Sequence, residues 1–157
     1  LGPGDALVVA ELAPDLDRAG EEDVAAEALA QAIDGLIVSN TTLDRARLTD
    51  AAKAETGGLS GRPLFRRSTA CLARFRKLVG PHMPIIGVGG IDSPEAALVK
   101  LAAGANLVQL YTGLVYEGPG LVSRIKTHLA RACDREGLSS IAEAVGVATD
   151  NWARLDD

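Results

Sequence analysis

Pro84-Ile85-Ile86-Gly87-Val88-Gly89-Gly90-Ile91-Asp92-Ser93-Pro94 is the stretch on which the fold turns. It opens as a short apolar run set between a proline and a glycine cluster, which reads as a buried strand over Pro84–Val88. The glycines that follow let the backbone turn tightly and bring free N–H groups close to an anion. Asp92 or Ser93 then caps a helix that has Pro94 in its first turn. The turn has two readings: a phosphate cradle at a strand end, or a tight strand-to-helix connection that needs no ligand.

The same alternation continues on both sides. Upstream, Ala6–Val9 is an apolar run between Gly4-Asp5 and Ala13-Pro14 and reads as a strand. Glu21–Ile33 carries Val24, Ala25, Ala28, Leu29 and Ala32 at helical spacing behind an acidic opening, and Gly35–Ser39 is a second strand. Residues 41–66 hold no long periodic segment, and so long a loop is more often functional than idle. Helices are expected over Ser68–Val79, Pro94–Ala103 and Pro119–Ala132, a strand over Asn106–Leu110, and a last short helix over Ser139–Val145. The order β-α-β-loop-α-β-α-β-α, with near-continuous apolar strands, predicts a parallel sheet covered on both faces. Four such units make a small doubly wound sheet or half of a (β/α)8 barrel. A whole barrel takes about 250 residues, and this chain has 157.

Composition narrows the function. With 47% hydrophobic and 24% charged residues, the chain suits one ordinary globular domain. Sixteen Lys and Arg against 21 Asp and Glu, a net charge of −5, argue against a nucleic-acid partner. No stretch reaches the ~18 apolar residues of a membrane span. The opening Leu1 to Leu16 (LGPGDALVVAELAPDL) lacks the basic and apolar regions of a signal peptide. Cys71 and Cys133 are too few for a disulfide framework and read as helix packing, so a reduced cytoplasm is the expected location. His82 and His128 stand apart without metal-ligand spacing and read as surface residues; no metal site is expected. The chain starts at Leu1 rather than Met, which points to a processed product or a piece of something longer.

Further candidates lie at predicted strand ends. Asn40-Thr41-Thr42 follows the second strand; an Asn side chain both donates and accepts, which suits an amide or carboxylate ligand and equally suits a capped turn. Thr56-Gly57-Gly58-Leu59-Ser60-Gly61 is a flexible loop that a ligand can approach closely. Tyr111-Thr112 closes the fourth strand with a flat ring and a hydroxyl, a pattern also produced by amphipathic packing.

Taken together, these segments resemble a known family. Leu12-Ala13-Pro14-Asp15-Leu16 comes first, then Asp34 to Thr42 (DGLIVSNTT), then Thr56 to Leu64 (TGGLSGRPL). Ser68-Thr69, Pro84 to Ile91, Ala103-Gly104-Ala105, Leu107 to Leu114 (LVQLYTGL) and Glu117-Gly118-Pro119 complete the run. This resembles the class 2, quinone-dependent dihydroorotate dehydrogenases over roughly residues 6–145. Leu-Tyr-Thr-Gly-Leu at 110–114 and Gly-Leu-Ser-Gly-Arg-Pro-Leu at 58–64 separate it from the class 1 enzymes.

The resemblance implies a fold, an activity and a site. The fold is α/β: residues 1–157 as the C-terminal half of an FMN-binding (β/α)8 TIM barrel, strands five to eight with their helices, the N-terminal half being absent. The activity implied is oxidation of dihydroorotate to orotate in pyrimidine synthesis, with electrons passed through FMN to a quinone. Gly61, Gly89, Gly90, Tyr111 and Thr112 match positions that hold the flavin, chiefly its phosphate. Ser39 falls where the family has a flavin-contacting threonine, and Asn40 and Thr41 match the substrate-contacting pair. The serine base, the helices of the quinone tunnel and the contact with the cytoplasmic side of the inner membrane all belong to the other half. This chain therefore holds no catalytic base, and its open edges call for an N-terminal half-barrel or self-association. One departure stands out: the family's Lys-Ile-Ala-Pro-Asp-Leu reads Glu11-Leu12-Ala13-Pro14-Asp15-Leu16, with a carboxylate where a lysine contacts the flavin ring. The alternative is a non-catalytic half-barrel that binds FMN or phosphate weakly or not at all.

Overall fold

In the computed structural model, which describes residues 6–46, 48, 49 and 51–155, four strands form one parallel sheet. They are β1 (Val9–Leu12), β2 (Gly35–Val38), β3 (Ile85–Gly87) and β4 (Leu107–Val108), and they lie in the order β1-β2-β3-β4. The helices are α1 (Arg18–Ala30), α2 (Phe65–Val79), α3 (Pro94–Ala103), α4 (Thr112–Glu117), α5 (Gly120–Glu136) and α6 (Thr149–Ala153). Sequential parallel neighbours joined by helical crossovers are the repeating unit of a (β/α)8 barrel. Four of those units are present, as the strand spacing predicted.

The register sorts the strand residues by face. Ala10, Leu36 and Ile85 pair across three strands, as do Leu12, Val38 and Gly87, with Val108 beside Gly87. These rows carry the buried residues Leu12, Leu36, Val38 and Ile85, which meet Leu72, Ala73 and Phe75 of α2 in the main core. The alternate row, Glu11, Ile37, Ile86 and Leu107, takes the opposite face. Its outer members Glu11 and Leu107 are exposed, Leu107 by 63%. The sheet is thus covered by helices on one side only, and the expectation of two covered faces fails on the inner side. Leu7, Val8 and Val9 at the β1 edge are exposed as well.

Side-chain bonds fasten the outer layer. Glu21 of α1 and Arg74 of α2, both buried, share three bonds: Arg74 Nε donates to Oε1 at 2.9 Å and Oε2 at 2.7 Å, and Nη2 to Oε1 at 2.6 Å. Arg76, at the end of α2, donates to the carbonyls of Gly104 (2.9 Å), Gly80 (2.7 Å) and Met83 (2.8 Å) and to Asn106 Oδ1 (2.6 Å). One guanidinium thereby ties together the turns that enter β3 and β4.

Several boundaries differ from expectation. The first strand is Val9–Leu12 rather than Ala6–Val9, because pairing with β2 starts at Val9 opposite Gly35. The first helix starts earlier and stops earlier than Glu21–Ile33, with Asp17 accepting from the Gly20 amide as its cap. The helix expected from Ser68 begins at Phe65, continuing a 3-10 turn over Arg62–Leu64. Strands expected over Gly35–Ser39, Pro84–Val88 and Asn106–Leu110 are shorter, since the chain leaves the sheet at the functional loops. Pro94–Ala103 is helical as predicted. Helix α5 extends to Glu136, past the expected Ala132, and the predicted helix over Ser139–Val145 is a 3-10 turn at Ile141–Ala144. The short helices α4 and α6 carried no periodic signal. His82 is exposed, whereas the His128 ring is only 27% exposed and its Nδ1 lies 3.6 Å from Glu95. Among the described residues no helix is long and apolar enough to cross a membrane.

Candidate functional site

The four strands deliver their loops to one end of the sheet, and a recess of about 160 Å3 lies among them. All eight residues singled out from the sequence line it: Ser39, Asn40, Thr41, Gly61, Gly89, Gly90, Tyr111 and Thr112. They come from the loops that follow β2, β3 and β4, widely separated in sequence, and the parallel register brings them to one level. A wider cleft of about 660 Å3 adjoins, sharing Gly61, Gly90 and Thr112 and bounded outward by Arg45, Arg62 and Tyr116.

The glycine turn is built for close approach. Gly89 and Gly90 have φ of 97° and 75°, in the left-handed region where a side chain is strained. A Cβ on Gly90 would lie 2.6 Å from Phe65 Cα and 2.7 Å from Phe65 N, so the turn packs directly on the start of α2. Among the described residues, no protein group accepts a hydrogen bond from the amides of Gly61, Gly89, Gly90, Tyr111 or Thr112. Backbone N–H groups without a protein acceptor, gathered around one concavity, are the kind of donor set that can hold an anion. Thr112 Oγ1 donates to Ser60 Oγ at 3.1 Å, adding two hydroxyls to the rim. Tyr111, 81% exposed, is not the packed aromatic that a strand end ordinarily holds.

On the other side of the recess, Ser39 is buried and its hydroxyl donates to the Asn40 carbonyl at 3.1 Å. Asn40 Oδ1 accepts from the Thr41 amide at 2.7 Å and the Thr41 hydroxyl at 3.3 Å. Among the described residues nothing accepts from the Asn40 Nδ2 group, which can therefore donate to a ligand oxygen. Below this pair, Asp15 accepts from the Thr42 hydroxyl, from the Leu43 amide at 2.8 Å and from Arg67 Nη1 at 2.7 Å. Burial by itself would raise the Asp15 carboxyl, but the bonds from Thr42, Leu43 and Arg67 outweigh it and hold the group below its usual range. Arg67 also reaches Asp44 at 2.9 Å, so α2 anchors the loop that carries Asn40 and Thr41.

Glu11, next to last in β1, lines the same recess. Together with Tyr111 it supplies the ionisable side chains of that recess. Sequence reasoning gave no role to Asp15, Arg67 or Lys100. Asp15 stood in the Leu-Ala-Pro-Asp-Leu segment, and Lys100 was visible only as a lone cation among the apolar residues of its helix.

The fold defines a class: half of a (β/α)8 barrel, with its loops gathered at the C-terminal ends of its strands. The family model described as dihydroorotate dehydrogenase matches residues 4–133. The dihydroorotate dehydrogenase (quinone) of Sinorhizobium medicae is 57% identical over 150 residues, covering 95% of this chain and 41% of that protein. The protein of the same name from Brucella abortus is 58% identical over 147 residues, covering 93% of this chain and 40% of its own length. The Eimeria tenella enzyme solved with ferulenol matches with a TM-score of 0.85 at 39% identity, over 90% of this chain and 38% of that one. The chain belongs to the dihydroorotate dehydrogenase family. It spans about two-fifths of the length of the curated relatives it matches.

Proposed function

We propose that this chain is the C-terminal half of a flavin-dependent barrel that oxidises dihydroorotate to orotate with a quinone as acceptor. The observation that carries the reading is the convergence of eight residues from three strand-end loops on one recess, with five backbone amides on its rim that find no protein acceptor among the described residues. Flavin mononucleotide fits that donor set at its phosphate end: a dianion needs several N–H and hydroxyl donors, and Gly61, Gly89, Gly90, Tyr111 and Thr112 offer them. Bound there, the flavin supplies the ring that accepts hydride and hands electrons on.

The residues of this chain bind and orient. The Asn40 carboxamide, its oxygen held by Thr41, presents N–H groups to an oxygen of the pyrimidine ring. Ser39, fixed by its bond to the Asn40 carbonyl, lines the recess and would help to hold the flavin. Neither Glu11 nor Tyr111 is placed here as the base that takes the C5 proton; that group belongs to the half that completes the barrel. The uncovered inner face and the β1 and β4 edges are the surfaces such a half would cover. A seat on the cytoplasmic face of the inner membrane, and the path to quinone, would come with it.

Glu11 favours a second reading, in which the half-barrel binds FMN weakly and does no chemistry. A carboxylate at the ring end opposes the negative charge that builds on a reduced flavin, where a cation would stabilise it. Titrations of the chain with FMN and with riboflavin, followed by flavin fluorescence, test the main reading. FMN is expected to bind more tightly than riboflavin, and Glu11→Lys to tighten FMN further. Equal affinities would remove the phosphate assignment, and no gain from lysine would remove the role given to position 11.

A further inference from the structure

Lys100 is the largest unexplained feature near the recess. It sits on α3 with no exposed surface and forms no ion pair among the described residues. Its Nζ donates to Ser68 Oγ at 2.6 Å and to the Val88 carbonyl at 3.1 Å, and lies 5.3 Å from the centre of the Phe65 ring. The Ser68 hydroxyl in turn lies 3.1 Å from the Gly89 carbonyl and 3.1 Å from the Phe65 carbonyl. A buried ammonium without a carboxylate is costly, and a fold keeps one when something else compensates it.

The peptide geometry shows what compensates. In a trans peptide unit the C=O and the following N–H point in opposite directions. The Val88 carbonyl shares its unit with the Gly89 amide, and the Gly89 carbonyl shares its unit with the Gly90 amide. Lys100 holds the first carbonyl directly and the second through Ser68, both from the helix side. The two amides on the far side of those units are among the five left free at the recess.

We propose that Lys100, relayed by Ser68, is the positioning residue that aims the Gly89 and Gly90 amides at a phosphate group and places positive charge behind them. The site thereby selects the phosphorylated over the dephosphorylated form of its ligand. This inference rests on the cofactor reading above. It assigns to a buried pair, which touches no ligand, the discrimination between FMN and riboflavin. Burial pushes the Lys100 amine down to about 7, so its charge is held weakly in the free protein, and a phosphate across the two peptide units favours the charged form. Cys71 is the other titratable side chain acting on it.

The test compares the wild-type chain with Lys100→Met and Ser68→Ala. FMN and riboflavin affinities are measured by fluorescence, and inorganic phosphate is titrated against 15N-labelled protein to follow the Gly89 and Gly90 amides. The ratio of FMN to riboflavin affinity is expected to fall about tenfold in Lys100→Met, the size of one lost charge-assisted bond. A smaller fall is expected in Ser68→Ala, with riboflavin affinity unchanged in both. General loosening would weaken both flavins alike. An intact ratio in folded variants overturns the inference and leaves the cofactor reading standing. If wild type binds the two flavins equally, the cofactor reading and the flavin selectivity fall together; phosphate that then shifts the two wild-type amides and not those of the variants upholds only the aiming of those amides by Lys100 and Ser68. Should Lys100→Met fail to fold, Ser68→Ala decides by the same ratio. Phosphate that shifts neither wild-type amide overturns the inference.

Discussion

Replacing Lys100 by methionine makes folding stability lose a specific pH dependence. The amine titrates near 7 in the folded chain against an ordinary 10.5, so between those values the unfolded chain binds more protons. Stability must therefore rise with pH across that window, and the charge-burial penalty is fully present only below it. Fully charged, Lys100 costs about 5 kcal/mol. Integrating the linkage from pH 6.5 to 9.5 returns about 3 kcal/mol of stability to the wild type and none to Lys100→Met. Against this, methionine forfeits the bonds to Ser68 and Val88, about 1–3 kcal/mol, though Val88 still accepts from the Ser39 amide at 3.4 Å. The variant is thus more stable at pH 6.5, and its advantage shrinks or reverses by pH 9.5. Urea unfolding followed by far-UV circular dichroism at pH 6.5, 8 and 9.5 measures the difference. The two proteins share every other titratable group, so those contributions cancel. Parallel pH profiles would refute the account of Lys100 as a buried amine without a carboxylate partner.

Four other substitutions follow from the geometry. Glu21→Ala removes the three buried bonds to Arg74 and is expected to cost about 3 kcal/mol in urea unfolding. Arg76→Lys offers one ammonium where four acceptors converge, and a loss of about 3 kcal/mol in the same assay is expected. Gly90→Ala forces a Cβ against the Phe65 backbone at positive φ and should destabilise by about 3 kcal/mol or more. Gly57→Ala, also at positive φ but with nothing within 4 Å, should cost only about 1–2 kcal/mol. Thermal melts of the two glycine variants give the comparison.

The parts of the fold visible in the sequence were those with a local signature. Leu36 and Val38, and Ile85, read as strands because parallel strands are apolar on both faces. Pro94–Ala103 read correctly because Ser93 and Pro94 mark its start and Gly104 its end. The first strand misled because the apolar run Leu7-Val8-Val9 lies on an exposed edge, and pairing with β2 rather than hydropathy sets where the ladder begins. Helix α4 went unseen because Tyr111, Val115 and Tyr116 are exposed and leave it no buried stripe. The candidate site was legible as a set of strand-end motifs, since parallel strands place their C-terminal loops together. Its supports were not. Glu21 and Arg74 lie 53 residues apart and Lys100 and Ser68 lie 32 apart, and no spacing rule connects partners at such distances.

The central claim is that this chain supplies one half of a dihydroorotate-oxidising flavin site. The most direct measurement combines it with a separately produced N-terminal half of a related dihydroorotate dehydrogenase (quinone), adds FMN, and follows dihydroorotate-dependent reduction of a quinone dye. The chain alone is expected to be inactive, the pair active, and the pair carrying Glu11→Lys more active still. Turnover by the isolated chain would contradict the claim. So would a folded, FMN-loaded pair that stays inactive with lysine at position 11.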